Sequence, residues 1–376
     1  MRFSPLALAE RIIAAADRQH PADAVLRQKL KSERGLAASE SAQISAAVFA
    51  YFRWLGWLEK GRPILDKIQH ALELSAKFAR QPQSFSEAEL IARSIPAWVN
   101  EELNVSAAWA RTLQTEPLLW LRARPGQGRA VGKELGHCFP FGTGPLADIL
   151  RYAGKTDLFC TEAFQAGKFE LQDISSQAVG LICAPAAGQT WWDACAGEGG
   201  KLLHLSDLMQ NRGLIWASDR AAWRLQRLKR RAARARVFNF RVTPWDGGSR
   251  LPTKTRFDGI LVDAPCSGIG TWQRNPHARW TTTLKDVQEL GRLQQELLIN
   301  VAAALKPGGR LIYAVCTFAR TETRHVVEAF ERACPNFDRA EFENPLSSGL
   351  VREGQVSYWP QQFGGNGMFI AAWRRQ

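Results

Sequence analysis

The sequence predicts an α/β protein: a doubly wound parallel sheet preceded by an all-α domain and a small α+β connector. Three observations carry this. From about Lys168 onward, apolar strand-like runs (TWWDACA, GLIWASD, FDGILVDAP, GRLIYAVC) alternate with helical segments, as they do where helices join the parallel strands of a sheet. From Ser4 to about Val105, in ALAERIIAAADR, AQISAAVFAYFRWLGWLEKGRPILDKI and SEAELIARSIPAWVNEEL, apolar residues recur at three and four, the helical spacing. Between Glu116 and about Gly167, short pieces such as PLLWLRARP are separated by turns containing Gly and Pro. The expected domains are 1–105, 106–167 and 168–376.

In the helical part, Ser39 with Glu40 and Ser41 are candidate N-caps of the second run, and Ser86 with Glu89 three residues on reads as a capping box. Phe49, Phe52, Trp54 and Trp57 are expected in its core. The chain has 376 residues, 45% of them hydrophobic, which is enough for more than one domain. A formal charge of +13 and a pI near 9.7 attract polyanions, nucleic acid among them. The N-terminal stretch MRFSPLALAERIIAAADRQH is broken by charges and has no small-residue cleavage site, and no stretch reaches the roughly 18 apolar residues of a membrane span. A cytoplasmic protein without membrane contact is expected. Its seven cysteines show no CxxC pair and are expected as free thiols, with Cys138, Cys160, Cys183 and Cys334 as small buried hydrophobes. Its six histidines have no metal-ligand spacing, so no metal is expected.

The stretch TWWDACAGEGGK, Thr190 to Lys201, is an apolar strand ending in a glycine turn, followed by the helical LLHLSDLM. Glycines there let backbone N–H groups approach a ligand at a helix N-terminus. A P-loop would need Gly six residues before Lys201 and Ser or Thr after it, where Cys195 and Leu202 stand, and a dinucleotide fingerprint would need Gly or Ala in place of Leu202. A loop for S-adenosylmethionine (SAM) remains. Asp219 ends the next strand-like run, 219 − 199 = 20 residues beyond Gly199, the spacing of a ribose ligand. Asp246, in TPWDGG, is expected on the same carboxyl edge beside the adenine, or as a turn residue. Cys266 in DAPCSGIG and Cys316 in YAVCT both leave the carboxyl ends of strands. If those strands are neighbours, the two thiols face one crevice.

With these motifs in order from about Leu119 to Ala372 (FELQDISSQAV, DACAGEGGK, ASDR, DAPCSGIG, LKPGGRLIYAVCT, GNGMFIAA), the chain resembles the Nop2/Sun family of RNA cytosine-5 methyltransferases. The helical part resembles the NusB-like domain of the bacterial 16S rRNA small-subunit methyltransferase B branch. The resemblance implies a class I SAM-dependent methyltransferase fold behind an all-α NusB-like, RNA-binding domain. It puts SAM contacts on Cys195, Ala196, Gly197, Glu198, Gly199, Gly200 and Lys201, and on Asp219, Asp246 and Asp263. Cys316 becomes the nucleophile and Cys266 the releasing cysteine. Two departures stand out. Glu198 replaces the family's proline, losing a fixed φ and adding a charge. Ala314, Val315 and Thr317 replace a Ser-Thr pair and a following Ser.

Carbon 5 of cytosine is a poor nucleophile until a thiolate adds at carbon 6, and only the thiolate attacks, so Cys316 needs positive charge or helix N–H groups nearby. Asp263 is expected to share the proton at N3, and Cys266 to assist elimination. Lys201 is expected to touch the cofactor or a phosphate, or else to be solvated. The run RAAWRLQRLKRRAARAR from Arg220 to Arg236 is either a solvated face or an RNA contact. Trp272, Arg274 and His277 are expected near the pocket for an extruded base. Recognition is expected from the body of the chain, acting as a monomer. The resemblance makes 16S rRNA before full subunit assembly the leading substrate. Transfer RNA, or a non-catalytic role in ribosome assembly, is the alternative.

Overall fold

The structure, a computed structural model, describes residues 4–33 and 35–376, so residues 1–3 and 34 of the expected helical domain lie outside the described residues. The chain forms two compact units: one contains the residues up to Pro117 with Gly268–Asp286, the other Leu118–Ser267 with Val287–Gln376.

The first unit is helical: α1 (Pro5–Ala15), α2 (Ala22–Ser32), α3 (Ala38–Arg53), α4 (Ile64–Arg80), α5 (Glu87–Ser94), α6 (Val99–Glu102) and α7 (Ala107–Thr112). The long apolar run that opens with α3 breaks at Trp54–Pro63, where proline cannot continue a helix. Ser86 caps α5, its Oγ accepting from Glu89 N–H at 3.2 Å, while the Glu89 carboxylate turns to Trp57 Nε1 at 2.7 Å. Ser39 and Ser41 are not caps. Helix α3 starts earlier, and the Ala37 N–H donates to the Glu40 carboxylate at 2.8 Å. Phe52 and Trp54 are buried in the core, and Phe49 and Trp57 pack partly buried against it.

The segment Gly268–Asp286 corrects one expectation. Trp272 and His277 are buried within the helical unit, Trp272 against Trp98 and Trp109, and His277 edge-on to Phe52. They are therefore core residues of that unit and no part of a base pocket; Arg274 lies exposed on the same segment. Arg279, fully buried in α13 (Pro276–Thr281), donates to the carbonyls of Ser94 and Leu113 at 2.7 and 3.2 Å. These belong to the ends of α5 and α7, where helix carbonyls lack intrahelical partners.

In the second unit, β1 (Leu119–Ala123), α8 (Gly128–Leu135), β2 (Cys138–Pro140), β3 (Ile149–Tyr152), α9 (Glu162–Gln165) and β4 (Phe169–Leu171) build an antiparallel sheet of order β2-β3-β1-β4. There follow α10 (Ile174–Cys183), β5 (Thr190–Asp193), α11 (Gly200–Leu208), β6 (Leu214–Ala217), α12 (Ala222–Arg234), β7 (Phe240–Val242) and β8 (Phe257–Asp263). Next, α14 (Leu284–Ala302) leads to β9 (Leu305–Val315) and α15 (Arg324–Ala333). The chain continues through β10 (Phe337–Arg339), β11 (Phe342–Glu343), β12 (Leu350–Val351), β13 (Gln355–Tyr358), α16 (Pro360–Phe363) and β14 (Met368–Arg375). The main sheet runs β10-β14-β9-β8-β5-β6-β7, with β13 added on β14.

Strands β5 to β9 are mutually parallel, as the alternation of strand and helix requires, and β14 runs antiparallel to β9. This is the arrangement that the resemblance implies. Lys306-Pro-Gly-Gly309, turn-like in composition, lies within β9, where the register against β8 shifts between Phe257 and Gly259. Asp193 pairs in register with Ala217 and Leu261, and Asp263 with Ala314, so the carboxyl ends of β5, β6, β8 and β9 lie along one edge. Trp192 fills the layer beneath, with ring centroids 5.0 Å from Trp245 and 5.4 Å from Phe257. Glu170 on β4 holds Arg124, Arg231 and Arg234 at 3.0, 2.9 and 2.5 Å, which anchors α12.

Candidate active site

Along that edge lies a cavity of about 430 Å³, the size of a small-ligand site. The turn after β5 forms one wall with Cys195, Ala196, Gly197, Glu198, Gly200 and Lys201. Gly199 does not line it. That residue sits in left-handed conformation (φ +86°) just ahead of α11, close against Leu228. Asp219 closes the turn: its carboxylate accepts from the Gly197 N–H at 3.0 Å and the Ala221 N–H at 2.8 Å. Asp246 lies on the same wall and accepts from the Gly248 N–H at 2.9 Å, so it is a turn residue and a lining residue at once. Glu198, standing on the rim, pairs with Arg227 at 2.7 Å, and its carbonyl accepts from Arg231 at 3.1 Å. Four of the basic residues of α12 (Arg224 with Asp219, Arg227 with Glu198, Arg231 and Arg234 with Glu170) are engaged in ion pairs, while Lys229 and Arg230 remain exposed.

The same cavity is lined by two cysteines that follow β8 and β9. Because β8 and β9 are neighbours, the loops that leave them bring Cys266 Sγ and Cys316 Sγ to 3.3 Å from each other, both half-buried and both lining the cavity. Lys201 reaches across and pairs with Asp263 at 2.6 Å. It is neither solvated nor free for a phosphate. Burial pulls its ammonium down, but Asp263, the hydrogen bond to it, Cys316 and Asp193 more than offset this and raise it. A fixed positive charge therefore stands beside the thiols. Cys195 is different: burial, then Asp193, Asp263 and Asp219, push its thiol upward and keep it neutral. Cys160, expected buried, is exposed, since it follows a turn in which its thiol meets Asp157 at 3.5 Å. Cys183 is fully buried, Cys138 and Cys334 partly so. Among the described residues, no group of three or more His, Cys, Asp or Glu side chains is placed to hold a metal ion, and no helix is long and apolar enough to cross a membrane.

Two residues escaped the sequence reading. Asp193 ends β5 and lines the cavity; neither carboxylate oxygen has a hydrogen-bond partner of normal geometry. Burial, reinforced by Asp263 and Asp219 and opposed by Lys201, pushes its carboxyl up to about 8. The signal was present in the strand itself, an acidic residue closing the otherwise apolar TWWD. Glu322 lies fully buried behind the thiols, and nothing in the polar stretch ARTETR pointed to it. The Asp193 shift makes a testable claim about stability. An unfolded Asp titrates near 3.9, so between about pH 4 and 8 the folded chain holds a proton that the unfolded chain has lost, and stability falls as pH rises through that window. In Asp193→Asn this fall should be missing, leaving the variant more stable than the parent at pH 8.5 by on the order of 5 kcal/mol and not at pH 4. Urea midpoints at the two pH values measure it; parallel curves for both proteins would count against the buried acid.

Comparison with known proteins gives the family. The family model described as 16S rRNA methyltransferase RsmB/F matches residues 180–374. Among curated relatives, the probable ribosomal RNA small subunit methyltransferase B of Bacillus subtilis is 34% identical over 239 residues, 62% of this chain and 54% of that one. The ribosomal RNA small subunit methyltransferase B of Shewanella oneidensis is 32% identical, over 65% of this chain and 59% of that one. The chain thus spans a little over half the length of the curated relatives it matches. A solved structure described as NSun6 from Pyrococcus horikoshii with SFG, a SAM analogue, is 27% identical with a TM-score of 0.53, covering 59% of this chain and 56% of that one. A Pyrococcus horikoshii methyltransferase homolog shares the fold at a TM-score of 0.58 and 24% identity, over 72% of this chain and 90% of that one. With the family model matched over more than half of its residues, the chain belongs to the 16S rRNA methyltransferase RsmB/F family.

Proposed function

We propose that this chain transfers a methyl group from SAM to carbon 5 of a cytosine in RNA, with 16S rRNA before full subunit assembly as its substrate. The observation that carries the reading is the pair of thiols 3.3 Å apart at the ends of adjacent strands, lining the same cavity as the glycine turn. Direct transfers to nitrogen or oxygen need no thiol.

When bound, SAM supplies an electrophilic methyl group on a sulfonium. Asp219 and Asp246 would hold it on its ribose and adenine side, and the turn from Cys195 to Lys201 would enclose it. The Cys316 thiolate adds to carbon 6 of the cytosine, with the Lys201 ammonium as the nearby positive charge and Asp263 sharing the N3 proton, so that electron density moves onto carbon 5. Carbon 5 would then take the methyl group as the sulfur–methyl bond breaks, the electron pair returning to sulfur to leave S-adenosylhomocysteine. Cys266 removes the carbon 5 proton, the bond to Cys316 breaks, and the ring regains its double bond. The helical unit, residues up to Pro117 with Gly268–Asp286, forms the RNA-binding part and the second unit the catalytic part of a cytoplasmic monomer.

Label from SAM should appear in purified 16S rRNA and map to carbon 5 of a cytosine, with mature small subunits and bulk tRNA as comparison substrates at matched salt. Label confined to tRNA would sink the substrate, and label at another atom the chemistry. Asp219→Ala should weaken SAM binding by at least about 1–3 kcal/mol, because both a ligand acceptor and the clasp on the Gly197 and Ala221 N–H groups are lost. Glu198→Pro should keep or strengthen it. Calorimetry reads both, and an unchanged dissociation constant in Asp219→Ala would remove that residue from the site.

A further inference from the structure

We infer that Glu322 is a positioning residue for the thiol pair: its buried carboxylate ties the loop that carries Cys266 to the loop that carries Cys316 and so holds the two sulfurs in contact. The hydrogen bonds are all directed at one side chain. Oε1 accepts from the Ser267 N–H at 2.8 Å and from Gln294 Nε2 at 3.0 Å. Oε2 accepts from the Ser267 hydroxyl and, at 3.1 Å, from the Thr317 hydroxyl. Ser267 follows Cys266 in the chain and Thr317 follows Cys316, and their hydroxyls are 2.9 Å apart. Each thiol is thus one residue from an arm of the same carboxylate.

The clamp has a rigid base. Gln294 on α14 also donates to the Pro265 carbonyl at 2.8 Å, so it fixes the Cys266 loop from its other end. The Tyr313 hydroxyl on β9 donates to the Glu322 carbonyl at 2.6 Å. Glu322, Gln294, Thr317 and Tyr313 are all fully buried. Burial raises the Glu322 carboxyl above its usual range, with the donors from Ser267, Gln294 and Thr317 working against it. A buried polar network that is fully satisfied holds one geometry, and a network missing its centre does not. No substrate atom need touch Glu322 for this role; it acts through the backbones of the two cysteines. Thr317, noted in the sequence as a departure from the family's serine, keeps the hydroxyl this arrangement uses.

The inference rests on the reading of Cys266 and Cys316 as the reacting pair, but its test does not. Dibromobimane fluoresces strongly only after both of its arms have alkylated thiols, and peptide mapping identifies a Cys266–Cys316 bridge. The full-length protein should form that bridge, and Cys266→Ser should not. Glu322→Ala should form it at least about tenfold more slowly while binding SAM like the parent. Glu322→Gln should bridge within about threefold of the parent, because its carboxamide oxygen still accepts from Ser267 N–H and Gln294, and the two hydroxyls turn to accept from its NH₂. Rescue by glutamine separates geometry from charge. If Glu322→Ala fails to fold, Ser267→Ala and Thr317→Val each remove one arm and should each slow bridging. Parent-like bridging in a folded Glu322→Ala, or in both single-arm variants, would overturn the inference. A parent that bridges but methylates nothing would overturn the proposed function and leave this inference standing.

Discussion

Cys316→Ala should abolish methyl transfer, by at least about 10³-fold, and should form no covalent species with RNA, because carbon 5 is then never made nucleophilic. Cys266→Ala should behave in the opposite way. It keeps the attacking thiol and the cofactor site, so attack and methylation proceed, while loss of the group that takes the carbon 5 proton slows release by about 10²–10⁴-fold. A protein–RNA species that survives a denaturing gel should accumulate in Cys266→Ala alone. The 3.3 Å contact makes this contrast demanding, since two thiols that close share one environment and only their approach to the base distinguishes them. The role assignment is falsified if Cys316→Ala accumulates the adduct and Cys266→Ala does not.

Gly199→Ala should have the second-largest effect, on SAM binding. Its φ of +86° lies in the left-handed region, which costs a non-glycine residue about 1–2 kcal/mol. An added Cβ would also lie 2.7 Å from Leu228 Cγ, in the packed layer between α12 and the sheet, where overpacking costs about 1–3 kcal/mol. Together these strain the turn by about 2–5 kcal/mol, so the SAM dissociation constant should rise about 30-fold or more. Gly197→Ala provides the contrast. Its φ is +53° and nothing lies within 4 Å of an added Cβ, so only the left-handed cost of about 1–2 kcal/mol remains and its loss should be about 5–30-fold although, unlike Gly199, it lines the cavity. Equal binding by Gly199→Ala and the parent would mean that the turn tolerates a second shape.

What could be read from the sequence was local. Strand-end motifs such as TWWDACAGEGGK and DAPCSGIG state their own secondary structure, and a parallel sheet puts all strand ends of one kind on one edge, so the cavity followed from the motifs and the topology together. What was missed depends on tertiary partners. Glu322 reads as a solvated polar residue until the chain brings Ser267, 55 residues away, against it. Trp272 and His277 follow the DAPCSG loop directly in sequence, yet the chain passes at Gly268 into the helical unit, and their apolar surfaces are buried there. Ser39 and Ser41 have good capping side chains, but the helix begins at Ala38, ahead of both, and Glu40 accepts from the Ala37 N–H instead. Lys306-Pro-Gly-Gly309 has the composition of a turn, and only pairing with β8 makes it a strand irregularity.

The central claim is a bond between one particular sulfur and carbon 6 of a cytosine, and RNA carrying 5-fluorocytosine tests it most directly. Fluorine at carbon 5 cannot leave as a proton does, so the reaction halts after methyl transfer with the enzyme still attached. Incubated with SAM and the 5-fluorocytosine form of its RNA, the parent protein should yield a stable conjugate, and peptide mapping should place the nucleotide on Cys316. No conjugate, or a conjugate carried by Cys266 or Cys195, would contradict the account.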